Sequence, residues 1–264
     1  MTTRRDIAAV MVTVDRSVRG QTNYLAETLA NLVRGGMLTT PRLTLFEIHD
    51  SGTSARPYGW ATDERDKVFY DDRFGEVYGH PEPVCANLNV AAALASGAAS
   101  DAEFVLFLED DIDVCADFFD SVGAWLDDHA APDRLVYAFA CPYPQVTDAA
   151  AGGATSWDYP IKGAFYGTQA FAVRSEDAAD LAAFLRADPY RMNPGGSCWD
   201  LIMQIWALEK GAEFFLASAP SFAEHIGRES VVAPRPATHT CPSWPGREWS
   251  YLQAHLGAEQ AVAP

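Results

Sequence analysis

The chain has 264 residues, with 36 Asp and Glu against 19 Lys and Arg, and a formal net charge of −17. That acidity argues against a nucleic-acid surface, which needs clustered Lys and Arg to neutralise phosphate. A hydrophobic content of 48% argues against disorder, and the length suits one large α/β domain or two small ones.

The basic tip at Arg4 and Arg5 is followed by a short, β-branched run that ends at Asp15 with no small-residue cleavage site, so Ile7 to Val14 reads as a first buried strand rather than a secretory signal. Residues 22 to 34 carry Leu25, Leu29, Leu32 and Val33 at helical spacing, and Gly35 and Gly36 supply a stop. "RLTLFEIHD" reads as a second strand, so the opening is a strand–helix–strand unit expected to cross over right-handed. Residues 53 to 80 read as loop with one short strand, and Glu82 to Ala99 as an Ala-rich helix. "FVLFLED" from Phe104 is the next buried strand. Asp117 is placed to N-cap a helix bearing Phe118, Val122, Trp125 and Leu126.

In the second half, "LVYAFA" from Leu135 reads as a strand, Asp148 to Thr155 as a loop, and "KGAFYGTQAFAVR" as a long strand or hairpin with a helix from Ser175. "CWDLIMQIWALEKG" is apolar nearly all round, as in a buried helix ending at Gly211, and "EFFLASAP" is a further strand. Ser221 to Arg247 is irregular and Pro-rich, as in a lid or a wrapping tail. The cysteines at 85, 115, 141, 198 and 241 are odd in number and widely spaced, as in a reduced, cytoplasmic protein without a zinc knuckle. No apolar run is long enough for a membrane span. Cations are mostly Arg, with lysine only at Lys67, Lys162 and Lys210; with the Ala-rich runs this suggests a GC-rich bacterial source.

Four acids crowd the end of the third strand: Glu109, Asp110, Asp111 and Asp113. Ligands of open α/β sheets bind beyond the carboxyl ends of the strands. A solvated turn at a helix N-terminus would explain the acids without function. An EF-hand is excluded, because "DDIDVCADFFDS" lacks Gly at its sixth position and Glu at its twelfth. The remaining reading is a Mg²⁺ or Mn²⁺ site that bridges the acids to an anionic diphosphate.

"EDDIDVCADFF" resembles the acidic, DXD-like motif of GT-A-fold glycosyltransferases, and is most similar to the N-acetylglucosaminyltransferases of N-glycan branching. "VTVDRS" and "EIHDSG" resemble the segments that follow strands one and two in that group. The resemblance covers the first half well and the second half loosely. It implies an α/β fold with a mostly parallel sheet, a nucleotide half over residues 1–130 and an acceptor half over 131–264 that ends in a closing loop. The implied reaction is transfer of a sugar from a nucleoside-diphosphate donor, a UDP-sugar, to an acceptor hydroxyl with inversion, using Mn²⁺ or Mg²⁺. Asp111 is implied as a direct metal ligand, with Asp113 in support. Glu109 and Asp110 would face the ribose and sugar, Arg16 the diphosphate and Asp50 the uracil, with Thr13 and Asp15 as further donor contacts. Asp15 with Arg16 also fits a surface ion pair, and Asp50-Ser51-Gly52 fits a simple turn.

Two second-half motifs bear on mechanism. "AEHIGRES" sets His225 after the last strand, with Arg228 and Ser230 following; it is either a structural histidine or a metal ligand backed by a basic loop. In "SCWDL" the branching enzymes carry two acids after Trp and use the second as base; Leu201 stands in that place here, leaving Asp200 as base or as helix cap. Trp157, Tyr166, Gln169 and Trp199 are candidate acceptor contacts, as is Phe165; Gln169, Trp157, Tyr166 and Phe165 fit a core equally well, and core is the better reading of Phe165. A sugar nucleotidyltransferase would need a Gly-rich basic loop after strand one, and "DRSVRGQTN" is poor in glycine. A noncatalytic nucleotide-sugar binder is the other alternative, which a hydrolysis assay separates.

Overall fold

The computed structural model describes residues 6–14, 22–37, 43–48, 68–70, 82–161, 167–189, 191, 199–228 and 240–254. Its elements run β1 (Ile7–Val14), α1 (Leu25–Arg34), β2 (Leu43–Ile48), β3 (Val68–Tyr70), α2 (Glu82–Ala98), β4 (Phe104–Glu109), β5 (Ile112–Val114) and α3 (Phe118–His129). They continue with β6 (Tyr137–Ala138), α4 (Pro144–Ala151), β7 (Ser156–Pro160), β8 (Ala170–Arg174), α5 (Ser175–Ala187), α6 (Trp199–Glu209), β9 (Phe214–Ser218) and β10 (Ala223–His225).

Among the described residues, eight strands form one sheet in the order β3-β2-β1-β4-β8-β6-β9-β7. The β3–β2, β2–β1, β1–β4 and β6–β9 pairs are parallel; β4–β8, β6–β8 and β7–β9 are antiparallel. The sheet is therefore mostly parallel, as the sequence suggested. Side chains alternate across it. On one face Ala9, Met11, Leu106 and Leu108 pack with Leu25, Leu29 and Leu32 of α1 and with Phe118, Val122 and Trp125 of α3. On the other, Val10, Val12, Val105 and Phe107 pack with Val90 and Leu94 of α2, Leu181 and Leu185 of α5, and Ile202, Met203 and Trp206 of α6. With helices on both faces, β1 and β4 read as unbroken apolar runs instead of alternating ones. A fully buried Leu or Phe in these layers contributes about 1.5–3 kcal/mol. No helix among the described residues is long and apolar enough to cross a membrane.

Strand order turns at β1: the chain builds outward through β2 and β3, then returns to place β4 on the other side. Ligand sites form at this kind of reversal, beyond the carboxyl ends of the strands. Thr13 of β1 and Glu109 of β4 both lie at those ends.

Four local expectations are corrected. Residues 148–151, expected in a loop, belong to α4; an Ala-rich segment burying only Val146 gives no amphipathic signal, although Pro144 and Gly152 mark its ends. The strand expected over Lys162 to Arg174 is confined to Ala170–Arg174, preceded by a turn at residues 168–169, with residues 162–166 outside the described residues. Asp117 stands at the N-cap position of α3 but adopts φ 50 and makes no side-chain cap bond; Asp tolerates this left-handed region better than most residues. The segment from Ser221 is not wholly irregular, since β10 pairs antiparallel with β5, His225 opposite Ile112 and Glu224 opposite Asp113.

Candidate active site

The β5–β10 ribbon builds the site. It brings the segment after β4 alongside the segment after β9, so residues more than a hundred positions apart meet. Asp111 precedes β5 and His225 ends β10, and Asp111 Oδ2 lies 3.2 Å from His225 Nε2. Glu109, Asp111 and His225 each offer one ligand atom, all within 4.8 Å of one another. The solvated-turn reading fails here, because Asp110, Asp111 and Asp113 are 3%, 4% and 1% exposed. Burial first, then the charge of Asp111, raises the Glu109 carboxyl from its usual range to about 8; Asp110 and Asp200 add to the rise and His225 opposes it.

Two carboxylates and an imidazole form a donor set suited to Mn²⁺ and its neighbours. Gly227 supplies a second sign of fit. A Cβ there would overlap the Asp111 carboxylate and stand 2.8 Å from His225 Nε2. Without a Cβ, the backbone at 227 can pass directly against the Asp111 carboxylate and the His225 ring. Gly227→Ala is expected to keep the fold but weaken Mn²⁺ binding at least about tenfold, the scale at which a displaced ligand acts; titration calorimetry with MnCl₂ checks it.

Asp113, expected as a supporting ligand, is not in the group. Its carboxylate accepts from Arg34 Nη2 at 2.7 Å and, through a short contact, from Arg247 Nε, and it also accepts from the Val114 N–H at 2.9 Å. It ties β5 to α1 and to the C-terminal segment. The two arginines are 37% and 47% exposed, so solvent screens the pairs. Asp113→Asn is expected to cost about 1–2 kcal/mol in urea unfolding while leaving Mn²⁺ affinity within about threefold.

Thr13 is buried and its hydroxyl donates to Asp110 Oδ2 at 2.8 Å, so these two expected nucleotide contacts brace one another. Asp200 is buried at the start of α6 and accepts from the Leu201 N–H at 2.8 Å. Burial pushes its carboxyl up to about 6, against the pull of those backbone N–H groups. Gln169 is 6% exposed; its carbonyl accepts from the Glu109 N–H at 2.9 Å, and its side-chain Oε1 is buried without a hydrogen-bond partner among the described residues. Arg228 is exposed and donates its N–H to the Tyr24 hydroxyl at 3.2 Å.

Two candidate acceptor contacts pack among other rings. Trp199 is a core residue, its ring 4.9 Å from Phe107 and 5.6 Å from Phe171. Trp157 sits on the edge strand β7 beside Tyr143 and Tyr159, separated from β4 by β8, β6 and β9. Asp15, Arg16, Asp50, Phe165, Tyr166 and Ser230 fall outside the described residues. Cys115, Cys141 and Cys241 are free and buried, and burial pushes the Cys115 and Cys141 thiols up to about 12, which removes them as nucleophiles. The residues that sequence reasoning passed over are Thr28 and Asn31, and it gave Gly227 no role at the site. The first two were legible as polar interruptions on the apolar face of α1.

No family model matches the chain, and no curated protein matches it. Similarity to solved structures is found. The chain superposes on S. aureus TarS 1–349 in complex with UDP-GlcNAc at a TM-score of 0.50 and 14% identity, covering 85% of this chain and 59% of that one. Apo-form glycosyltransferase GlyE of Streptococcus pneumoniae TIGR4 gives 0.45 and 11%, covering 81% and 45%. A glycosyltransferase involved in glycosylation of the major capsid of PBCV-1 gives 0.43 and 10%, covering 81% and 83%. The chain thus spans somewhat more than half of TarS 1–349. At 14% identity the likeness is one of architecture, and the chain has the GT-A-type α/β fold.

Proposed function

We propose that the protein is a metal-dependent glycosyltransferase that moves a sugar from a nucleoside diphosphate to an acceptor hydroxyl with inversion. The observation that carries this reading is the group of Glu109, Asp111 and His225, held beyond the carboxyl end of β4 beside the strand-order reversal. TarS was solved with UDP-GlcNAc, and a UDP-sugar is the donor we propose for this chain. A cytoplasmic bacterial enzyme with a glycan or small-molecule acceptor completes the reading.

Glu109, Asp111 and His225 would hold a Mn²⁺ or Mg²⁺ ion, which supplies positive charge for the leaving diphosphate. Thr13 holds Asp110 through its hydroxyl, and Asp110 would be a third carboxylate available to the donor. Arg228, and Arg16 outside the described residues, are the cations that would meet phosphate oxygens. Asp200, ionised above about pH 6, would take the acceptor proton. Its partner in acceptor positioning would be Gln169, whose backbone carbonyl already holds the Glu109 N–H.

Thermal unfolding of the wild-type chain with a panel of nucleotide sugars, with and without MnCl₂, tests the reading. A donor at a hundred times its Kd adds about 2.7 kcal/mol, which for a chain this long raises Tm by at least about 5 °C. We expect that rise for a UDP-sugar only when Mn²⁺ is present. No rise for any nucleotide sugar with Mn²⁺ would overturn the proposal.

A further inference from the structure

Helix α1 carries a line of polar groups on its buried side. Tyr24, Thr28 and Asn31 fall at intervals of four and three, hence on one face, and are 7%, 0% and 3% exposed. Thr and Asn are indifferent helix formers, and burying them costs free energy unless each finds a partner. The apolar residues between them, Leu25, Leu29 and Leu32, would pack against the core without them.

Their partners are specific. Thr28 Oγ1 accepts the Ile112 N–H at 3.1 Å, and its own hydrogen faces the Asp110 carbonyl at 2.8 Å and that of Ile112 at 3.1 Å. Asn31 Nδ2 donates to the Ile112 carbonyl at 3.4 Å. Tyr24 accepts the Arg228 N–H at 3.2 Å, and the Ile226 N–H in turn donates to the Asp111 carbonyl at 2.9 Å. The helix therefore grips the backbone on both sides of Asp111 and the chain just beyond His225. A hydroxyl that both donates and accepts is what this turn needs, because Ile112 and Asp110 present an N–H and a carbonyl to one point.

We propose that Thr28 is a positioning residue: its hydroxyl sets where the Asp111 carboxylate stands relative to Glu109 and His225, and so sets the affinity of that group for a divalent cation. The inference rests on the metal-binding reading of the site. Thr28→Val removes the hydroxyl and keeps the shape; Thr28→Ser keeps the hydroxyl and removes a methyl. With Mn²⁺ alone as probe, followed by the loss of its free-ion electron resonance signal, Thr28→Val is expected to bind about tenfold to a hundredfold more weakly, as when an outer partner of a metal ligand is lost. Thr28→Ser should stay within about threefold of wild type. Without metal, amide exchange at Ile112 and Ile226 should quicken in the valine variant and not in the serine variant. A folded Thr28→Val protein that binds Mn²⁺ like wild type would overturn the proposal. Wild-type protein that does not bind Mn²⁺ would instead reject the metal reading, and amide exchange would then decide: unchanged protection of Ile226 in Thr28→Val overturns the positioning role. Should the valine variant not fold, Thr28→Ala carries the same outcomes.

Discussion

Asp111→Ala is expected to abolish Mn²⁺-dependent binding of UDP while leaving the protein folded. Asp111 is 4% exposed, faces His225 at 3.2 Å and shares the ligand group with Glu109. Removing it takes out the central donor, and two remaining side chains hold a divalent ion poorly. Stability should respond differently from binding. Glu109 has a folded pKa of about 8 against an ordinary 4.5, and the Asp111 charge is its second cause. A raised carboxyl disfavours the folded state as pH climbs from 4.5 through about 8, so part of that penalty disappears with Asp111. The variant should unfold within about 4 °C of metal-free wild type and lose the Mn²⁺-dependent rise. Calorimetry that finds unchanged UDP affinity with Mn²⁺ would remove the metal-bridged donor from the reading.

Turnover should fall by about a hundredfold or more in Asp200→Asn, with donor binding nearly unchanged. Asn retains an oxygen for the Leu201 N–H, so the start of α6 is preserved and only the charge is removed. The wild-type rate should rise with pH through about 6, since Asp200 accepts a proton only when ionised and burial holds its pKa there. Above that value the limb should flatten, and in the asparagine variant it should vanish. Near-full turnover in Asp200→Asn would make the residue a local backbone brace and move the base elsewhere.

The strands β1, β4 and β9 were readable because a sheet covered on both faces needs long apolar runs, and such runs stand out in a sequence. The acids of the site were readable as a cluster for the opposite reason: four carboxylates ending an oily strand conflict with local physics and call for a counter-charge. Their division of labour was not. Asp111 and Asp113 differ by two positions, yet one meets His225 and the other two arginines, one of them Arg247 from far along the chain. That outcome depends on the pairing of β5 with β10, whose three residues each are too short for any period to show. The packing of Trp199 against Phe107 and Phe171 was hidden for a related reason, since those rings of β4 and β8 meet it only once the sheet has formed.

The antiparallel seam between β4 and β8 has a mechanical consequence. Five residue pairs, Phe104 with Arg174 through Leu108 with Ala170, stitch the part of the sheet before residue 130 to the part after it, and α2 packs along α5 across the same join. The two halves cannot swing apart like jaws without breaking the middle of the sheet. Any movement on ligand binding is therefore expected in segments beyond the strand ends, over a floor that stays rigid. Distance probes placed on α3 and α5 should report one unchanging separation with and without nucleotide. A protein cut near residue 130 should yield two pieces that each expose a raw sheet edge and associate rather than fold alone.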